Sequence, residues 1–220
     1  MSRNWISGAL FYKQIDRPIE SFVTQFSGFF TTSYANAPQA ELLGLELEAT
    51  KYFDLASLPD DRRLVLVGNY TYTKSELKVA EDDPVAVFAS SSTHATDFFR
   101  DGSALTGQSD HLVNLQVGLE SQDHLSQQTF LLTYASERVV SRGLNGSPPQ
   151  PDILEDPGFR LDLVLREGFA LFGQDFEGKL EVRNILGRKH EEYQQAGDNR
   201  IEINTYDVGT TFAGSISVTF

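Results

Sequence analysis

Leu43, Leu45, Leu47 and Ala49 alternate with Gly44, Glu46, Glu48 and Thr50, a period of two that predicts a strand with one oily and one wet face. The same period recurs along the chain. Near 63–75, Leu64, Leu66, Tyr70 and Tyr72 oppose Asn69, Thr71, Thr73 and Ser75. Val113, Leu115, Val117 and Leu119 oppose Asn114, Gln116 and Gly118, and Phe130, Leu132 and Tyr134 oppose Thr129, Thr133 and Ala135. Phe159, Leu161, Leu163 and Leu165 oppose Arg160, Asp162 and Arg166, and near 178–186 Leu180 and Val182 oppose Glu181 and Arg183. After the turn signal Asp207-Val208-Gly209, a last strand sets Thr210, Phe212, Gly214, Ile216, Val218 and Phe220 against small or hydroxylated residues. A first strand near 4–15 is apolar on both parities, with Trp5, Ala9 and Phe11 against Ile6, Leu10 and Tyr12, so its faces stay unassigned.

About eight strands result, and the connections between them are long and short in turn. Gaps at about 16–41, 76–109, 138–158 and 187–205 are long; those at about 54–62, 121–126 and 168–176 are short. A soluble sandwich or propeller has no reason for such a rhythm. An outer-membrane barrel does, because short turns face the periplasm and long loops face outward. With the C-terminus on the periplasmic side, every long gap falls outside. Tyr70, Tyr72, Tyr134, Phe159, Phe212 and Phe220 lie near strand ends on the oily parity, where interfacial girdles form.

Composition narrows the partners. The chain has 220 residues, and 18 Lys and Arg against 31 Asp and Glu give a formal charge of −13, which argues against a general nucleic-acid binder. There is no cysteine, hence neither a disulfide nor a thiolate site. The longest uncharged stretch, 21–40, is rich in Ser, Thr, Gln, Asn and Gly and is no spanning helix. The N-terminus has no apolar h-region, so a barrel reading predicts a fragment or a shortened gene.

The terminal strand resembles the last strand of bacterial outer-membrane barrels, in which a C-terminal aromatic is part of the signal read by the barrel-assembly machinery. That resemblance makes Phe220, Val218 and Phe212 the candidate assembly signal. Longer motifs resemble the C-terminal part of TonB-dependent outer-membrane receptors. They are Ala9-Leu10-Phe11-Tyr12-Lys13-Gln14-Ile15-Asp16, then Tyr34-Ala35-Asn36 followed by Gly44-Leu45-Glu46-Leu47-Glu48-Ala49, and Asn69-Tyr70-Thr71-Tyr72-Thr73-Lys74-Ser75. Leu105-Thr106-Gly107-Gln108-Ser109, Val182-Arg183-Asn184-Ile185-Leu186-Gly187-Arg188-Lys189 with Tyr193, and Tyr206-Asp207-Val208-Gly209-Thr210-Thr211-Phe212 complete the series. Val208 and Thr210 depart from the Pro and Arg of the family's closing motif. The resemblance implies the last eight strands of a 22-stranded barrel that surrounds a plug domain, in a receptor coupled to TonB. It implies a small-molecule nutrient as ligand, iron–siderophore complexes being the commonest cargo, ahead of cobalamin, haem or glycans. The chain as read has neither plug nor TonB box, and a complete eight-stranded barrel with a structural or adhesive role is the alternative.

Catalysis has little support. His94, His111, His124 and His190 are scattered, and neither a Gly-x-Ser-x-Gly elbow nor a phosphate-binding glycine loop occurs. Glu81-Asp82-Asp83 lacks EF-hand spacing and reads as a solvated acidic loop. No metal or cofactor is predicted. Glu46 and Glu48 share a wet face, and Arg160, Asp162 and Arg166 lie on the strand beside Glu181 and Arg183, so opposite charges can pair across the ladder. By family analogy these lumen residues face the plug more than the ligand.

Overall fold

The computed structural model describes residues 4–26, 28–54, 62–87, 90, 92–121, 125–144 and 149–219. In chain order the strands are β1 (Trp5–Asp16), β2 (Ile19–Phe26), β3 (Phe29–Asn36), β4 (Gln39–Phe53), β5 (Arg62–Lys78), β6 (His111–Ser121), β7 (Ser126–Ala135) and β8 (Arg138–Ser141). They continue with β9 (Ile153–Glu155), β10 (Gly158–Leu171), β11 (Gln174–Arg183), β12 (His190–Ala196), β13 (Asn199–Tyr206) and β14 (Thr211–Thr219). One eight-stranded antiparallel sheet runs β1-β4-β5-β6-β7-β10-β11-β14. These are the eight strands that alternation predicts. The sheet is open, since β1 pairs with β4 and β14 with β11 but not with each other.

The pairing register settles what period two alone leaves open. Antiparallel partners face the same way. From Leu45 the row runs through Tyr72 to His111, and from Leu47 through Tyr70, Val113 and Tyr134 to Phe159. Leu163 meets Val182, and Val182 meets Phe212. One apolar face therefore continues across all eight strands. Leu10 pairs with Leu45 and Tyr12 with Leu43, so Ile6, Leu10 and Tyr12 are the apolar parity of β1. Leu10 is 82 % exposed and Phe212 73 %, an arrangement that water would penalise and lipid would not.

Aromatics bound this face. Tyr134 stacks near Phe159 at 4.5 Å and Phe169 on Phe176 at 5.6 Å. Phe159 and Phe169 lie on one face of β10, ten residues apart. At about 3.3 Å per residue and a tilt of about 40°, that is about 25 Å of height, the thickness of an outer-membrane apolar band. Within it Glu167 is polar, and it accepts a hydrogen bond from the Ser126 hydroxyl at 2.7 Å.

The long connections all leave one end of the sheet and the short ones the other. The gap expected at about 168–176 is smaller than that: β10 and β11 are joined by Phe172 and Gly173 alone, both at positive φ (54° and 75°) as a type I′ hairpin turn needs. Among the described residues, three of the four long connections carry strands of their own. β2 pairs with β3, and β8, β9, β12 and β13 form a second sheet in the order β13-β12-β9-β8. That order repeats β14-β11-β10-β7, the wall strands they continue, so this part of the wall extends outward past a seam.

Apolar side chains from the connections and from the adjoining ends of β4 and β5 build the main core. Phe22, Leu77, Ala95, Phe99 and Leu105 are buried together, with Phe98 tilted against Phe22 at 5.4 Å and Phe99 edge-on to it at 5.9 Å. Backbone bonds from Val23 to the Arg142 carbonyl and from Arg142 to the Ser21 carbonyl tie β2 to the end of β8. Arg142 pairs with Glu20 at 2.9 Å and Asp152 at 3.2 Å, while Glu20 also accepts the Thr106 N–H at 3.0 Å. Three connections are thereby joined into one body.

Candidate functional site

The face opposite the apolar one is mostly polar from β4 to β14, while β1 adds Trp5, Ala9 and Phe11 to it. Glu46 lies between Ala9 and Thr71, and Glu48 between Ser7 and Asn69; both are exposed, and among the described residues neither has an ion pair. Asn114 donates to the Asn69 side chain at 2.7 Å on the same face. Towards the short turns, Arg63 donates to Glu120 at 2.7 Å and stacks over Tyr52 at 4.6 Å. Where β1 pairs with β4 the packing is tight: the Phe11 ring covers Gly44, and a Cβ there would lie 2.6 Å from Phe11 Cε1 and 2.5 Å from the Tyr72 carbonyl oxygen. Only glycine admits that approach.

The expected charge ladder on β10 and β11 forms in part. Arg166 donates to Glu177 at 2.7 Å across the two strands. Glu181 pairs along its own strand, with Arg183 at 2.9 Å and with Lys179. Asp162 has a different partner: its carboxylate accepts the Asn184 backbone N–H at 2.7 Å. Arg160 joins no pair among the described residues and opens on the seam.

Asn184 ties that seam. It is 3 % exposed and left-handed (φ 56°), a conformation that Asn tolerates better than most residues. Its side chain accepts the Arg188 N–H at 2.9 Å and donates to the Arg188 and Gly209 carbonyls, each at 3.0 Å. Thr210 donates its hydroxyl to the Asn184 carbonyl at 3.0 Å. The exit of β11 is thus fastened to the entry of β14. Arg188 then crosses to the β9–β10 link, donating to the Pro157 carbonyl at 3.1 Å and pairing with Asp156 at 2.8 Å.

A pocket of about 610 Å³ lies in the seam. Asn114, Thr133, Gly158 and Arg160 wall it from the polar face below, and Arg138, Arg188, Lys189, His190 and Tyr206 from above. His190 stacks on Tyr206 at 4.7 Å and bonds to Glu192 at 3.0 Å. Beyond it, Tyr193 is 5 % exposed, bonds to Glu137 and carries the Arg200 guanidinium 3.7 Å above its ring. Burial, and then the Glu137 carboxylate, push the Tyr193 phenol up to about 12. A larger hollow of about 800 Å³ lies on the apolar face, where Gly178 and Gly214 place no side chain beside Leu165, Leu180 and Ile216. It belongs to the lipid-type surface, and its polar side chains on that face, Gln128 and Glu167, are tied to each other through the Ser126 hydroxyl at 2.9 and 2.7 Å.

The predicted residues thus fall into separate places. Glu46 and Glu48 stand on the polar face, Arg166 is paired across the ladder, Arg160 faces the seam, and Asp162 is taken up by a turn. Phe212 and Val218 lie on the apolar face of β14, and Phe220 and His124 lie outside the described residues. Glu81-Asp82-Asp83 is a tight turn closed by the Asp83 carboxylate on the Ala80 N–H, and among the described residues no group of three His, Asp or Glu could hold a metal. Sequence reasoning missed the Glu20–Arg142 pair and the seam pocket. Arg188-Lys189 was visible only as part of a motif, and Arg142 is one of two arginines in a Pro- and Gly-rich gap.

A family model described as TonB dependent receptor-like, beta-barrel, matches residues 2–185. Proteins of that family are outer-membrane transporters rather than enzymes. Comparison with curated proteins and with solved structures gave no match.

Proposed function

We propose that this chain, which belongs to the TonB-dependent receptor-like β-barrel family, is the C-terminal wall of a receptor that binds a nutrient at the bacterial surface and imports it. One observation carries this reading beyond the family: the apolar face that the register carries unbroken across eight strands, with every long connection at one end. Such a sheet belongs in the outer membrane, with bilayer lipid against Leu45, Val117 and Leu163 and the long connections outside.

The open ladder supports a larger closed wall, with these as the last eight of 22 strands, over a self-contained eight-stranded barrel of structural or adhesive role. In that wall Glu46, Glu48, Arg160, Asp162, Glu181 and Arg183 face a lumen occupied by the receptor's own plug, which couples to TonB. Phe212, Val218 and Phe220 act as the signal for the barrel-assembly machinery. An iron–siderophore complex is the favoured cargo, on family grounds alone.

Deleting the gene and measuring uptake of radiolabelled iron from a panel of siderophores, with and without TonB, tests the reading. With TonB present, the deletion should abolish uptake of one complex; without TonB, that uptake should be absent whether or not the gene is there. Unchanged uptake and growth on every iron, cobalamin and glycan source would remove the transport function.

A further inference from the structure

Among the described residues, two cations at the seam have no carboxylate of their own. Arg138, Arg160, Arg188 and Lys189 border the pocket against Glu155 and Asp156, a surplus of two positive charges in a chain of formal charge −13. Both carboxylates are already engaged: Glu155 with Arg138 at 2.7 Å and Asp156 with Arg188 at 2.8 Å. Among the described residues Arg160 and Lys189 join no ion pair, although the chain has acids to spare. The two come from different elements, β10 and the β11–β12 link, and the Asn184 and Arg188 network holds those elements together. Beside them Tyr206 stands half exposed, its ring backed by His190.

We propose that the seam pocket binds a small molecule carrying two oxyanion groups, carboxylate or phosphate. One is held by the Arg160 guanidinium, the other by the Lys189 ammonium, and Tyr206 lies against the atoms that join them. A planar guanidinium suits a two-oxygen anion, and about 610 Å³ is ordinary for a small-ligand pocket. The assignment rests on the reading above that the protein takes a small solute at its outer end, and it names that solute's charge.

Calorimetric titration of the receptor purified in detergent, with citrate, with pyrophosphate and with neutral sorbitol, tests it. Binding of citrate or pyrophosphate, weakening with salt, is expected, and the tighter of the two identifies the oxyanion; sorbitol should not bind. Arg160→Gln and Lys189→Gln should each weaken binding about tenfold, the loss of one charged hydrogen bond. Neither side chain fastens the seam, so both variants should keep the heat-dependent gel mobility of the folded barrel. Absence of binding by both anions, including a pocket filled by the receptor's own acidic segment, overturns the proposal, as does undiminished affinity in the double variant. Anion binding that persists in a receptor whose deletion leaves all uptake unchanged would sink the transport reading alone.

Discussion

Glu20 and Arg142 meet at 2.9 Å although 122 residues separate them in the chain, and their side chains are 0 % and 3 % exposed. Arg142 also reaches the Ala104 carbonyl and Asp152, and Glu20 the Thr106 amide. One charge pair thus touches the connections between β1 and β4, β5 and β6, and β7 and β10.

Arg142→Ala strands the buried Glu20 carboxylate, at a cost of about 3–5 kcal/mol, and Glu20→Ala costs less because Arg142 keeps Asp152 at 3.2 Å. Proteolysis of whole cells should then cut these connections while the barrel keeps its heat-dependent gel mobility. Glu20→Leu with Arg142→Leu should restore much of the resistance, because neither charge is then stranded. Equal sensitivity of single and double variants would contradict this.

Leu45→Arg or Val117→Arg places a cation on the apolar face and should cost assembly about 2–4 kcal/mol. Gln116→Arg, one residue away but on the polar face, should cost little. The folded fraction recovered in the outer membrane measures the difference, and similar yields would argue against a lipid-facing sheet.

Gly44→Ala should lower the folded fraction in the same assay, because its new methyl meets both the Phe11 ring and the Tyr72 carbonyl. Phe11→Ala in the same chain removes only the ring, and the backbone of β5 cannot withdraw. A partial recovery is expected; a complete one would show that the ring alone forbids a side chain.

Asn184→Ala loses the side-chain bonds to Arg188 and Gly209 and also places alanine at a left-handed φ. Asn184→Gly loses the same bonds but keeps the conformation. Both should make the β11–β14 connection sensitive to protease at lower temperature, alanine more than glycine by about 1–2 kcal/mol.

The raised phenol of Tyr193 gives the outer sheet an alkaline limit. Its proton is bound more tightly in the folded state than in the unfolded one, so its stabilisation is full below the usual value of 10.0 and is lost as pH rises through about 12. Protease sensitivity near β12 should increase across that window and lose this step in Tyr193→Phe. A step of equal size in the variant would assign it to another group.

The wall strands were legible because each meets two unlike media, and period two records that directly. β1 escaped because Trp5, Ala9 and Phe11 make its polar-side parity apolar too, and only its pairing with Leu43 and Leu45 assigns it. The outer strands escaped for another reason. β12 carries Glu191, Glu192, Gln194 and Gln195 and is supported by its neighbours, without an apolar stripe of its own. The seam pocket draws on β6, β7, β9, β10 and the β11–β12 link, a convergence of distant segments that no local window contains. Its two bare cations differ from ordinary surface charges only in what surrounds them.

The two unpaired margins of the sheet also set an order of events in time. β1 and β14 each present a row of backbone N–H and C=O groups with no strand paired on the outer side among the described residues, and in hydrocarbon each unpaired group costs several kcal/mol. Leu10 and Ile216 on those same strands are side chains that only hydrocarbon suits. The backbone forbids entry into the bilayer that the side chains require. Strand closure must therefore come before insertion, or keep pace with it residue by residue.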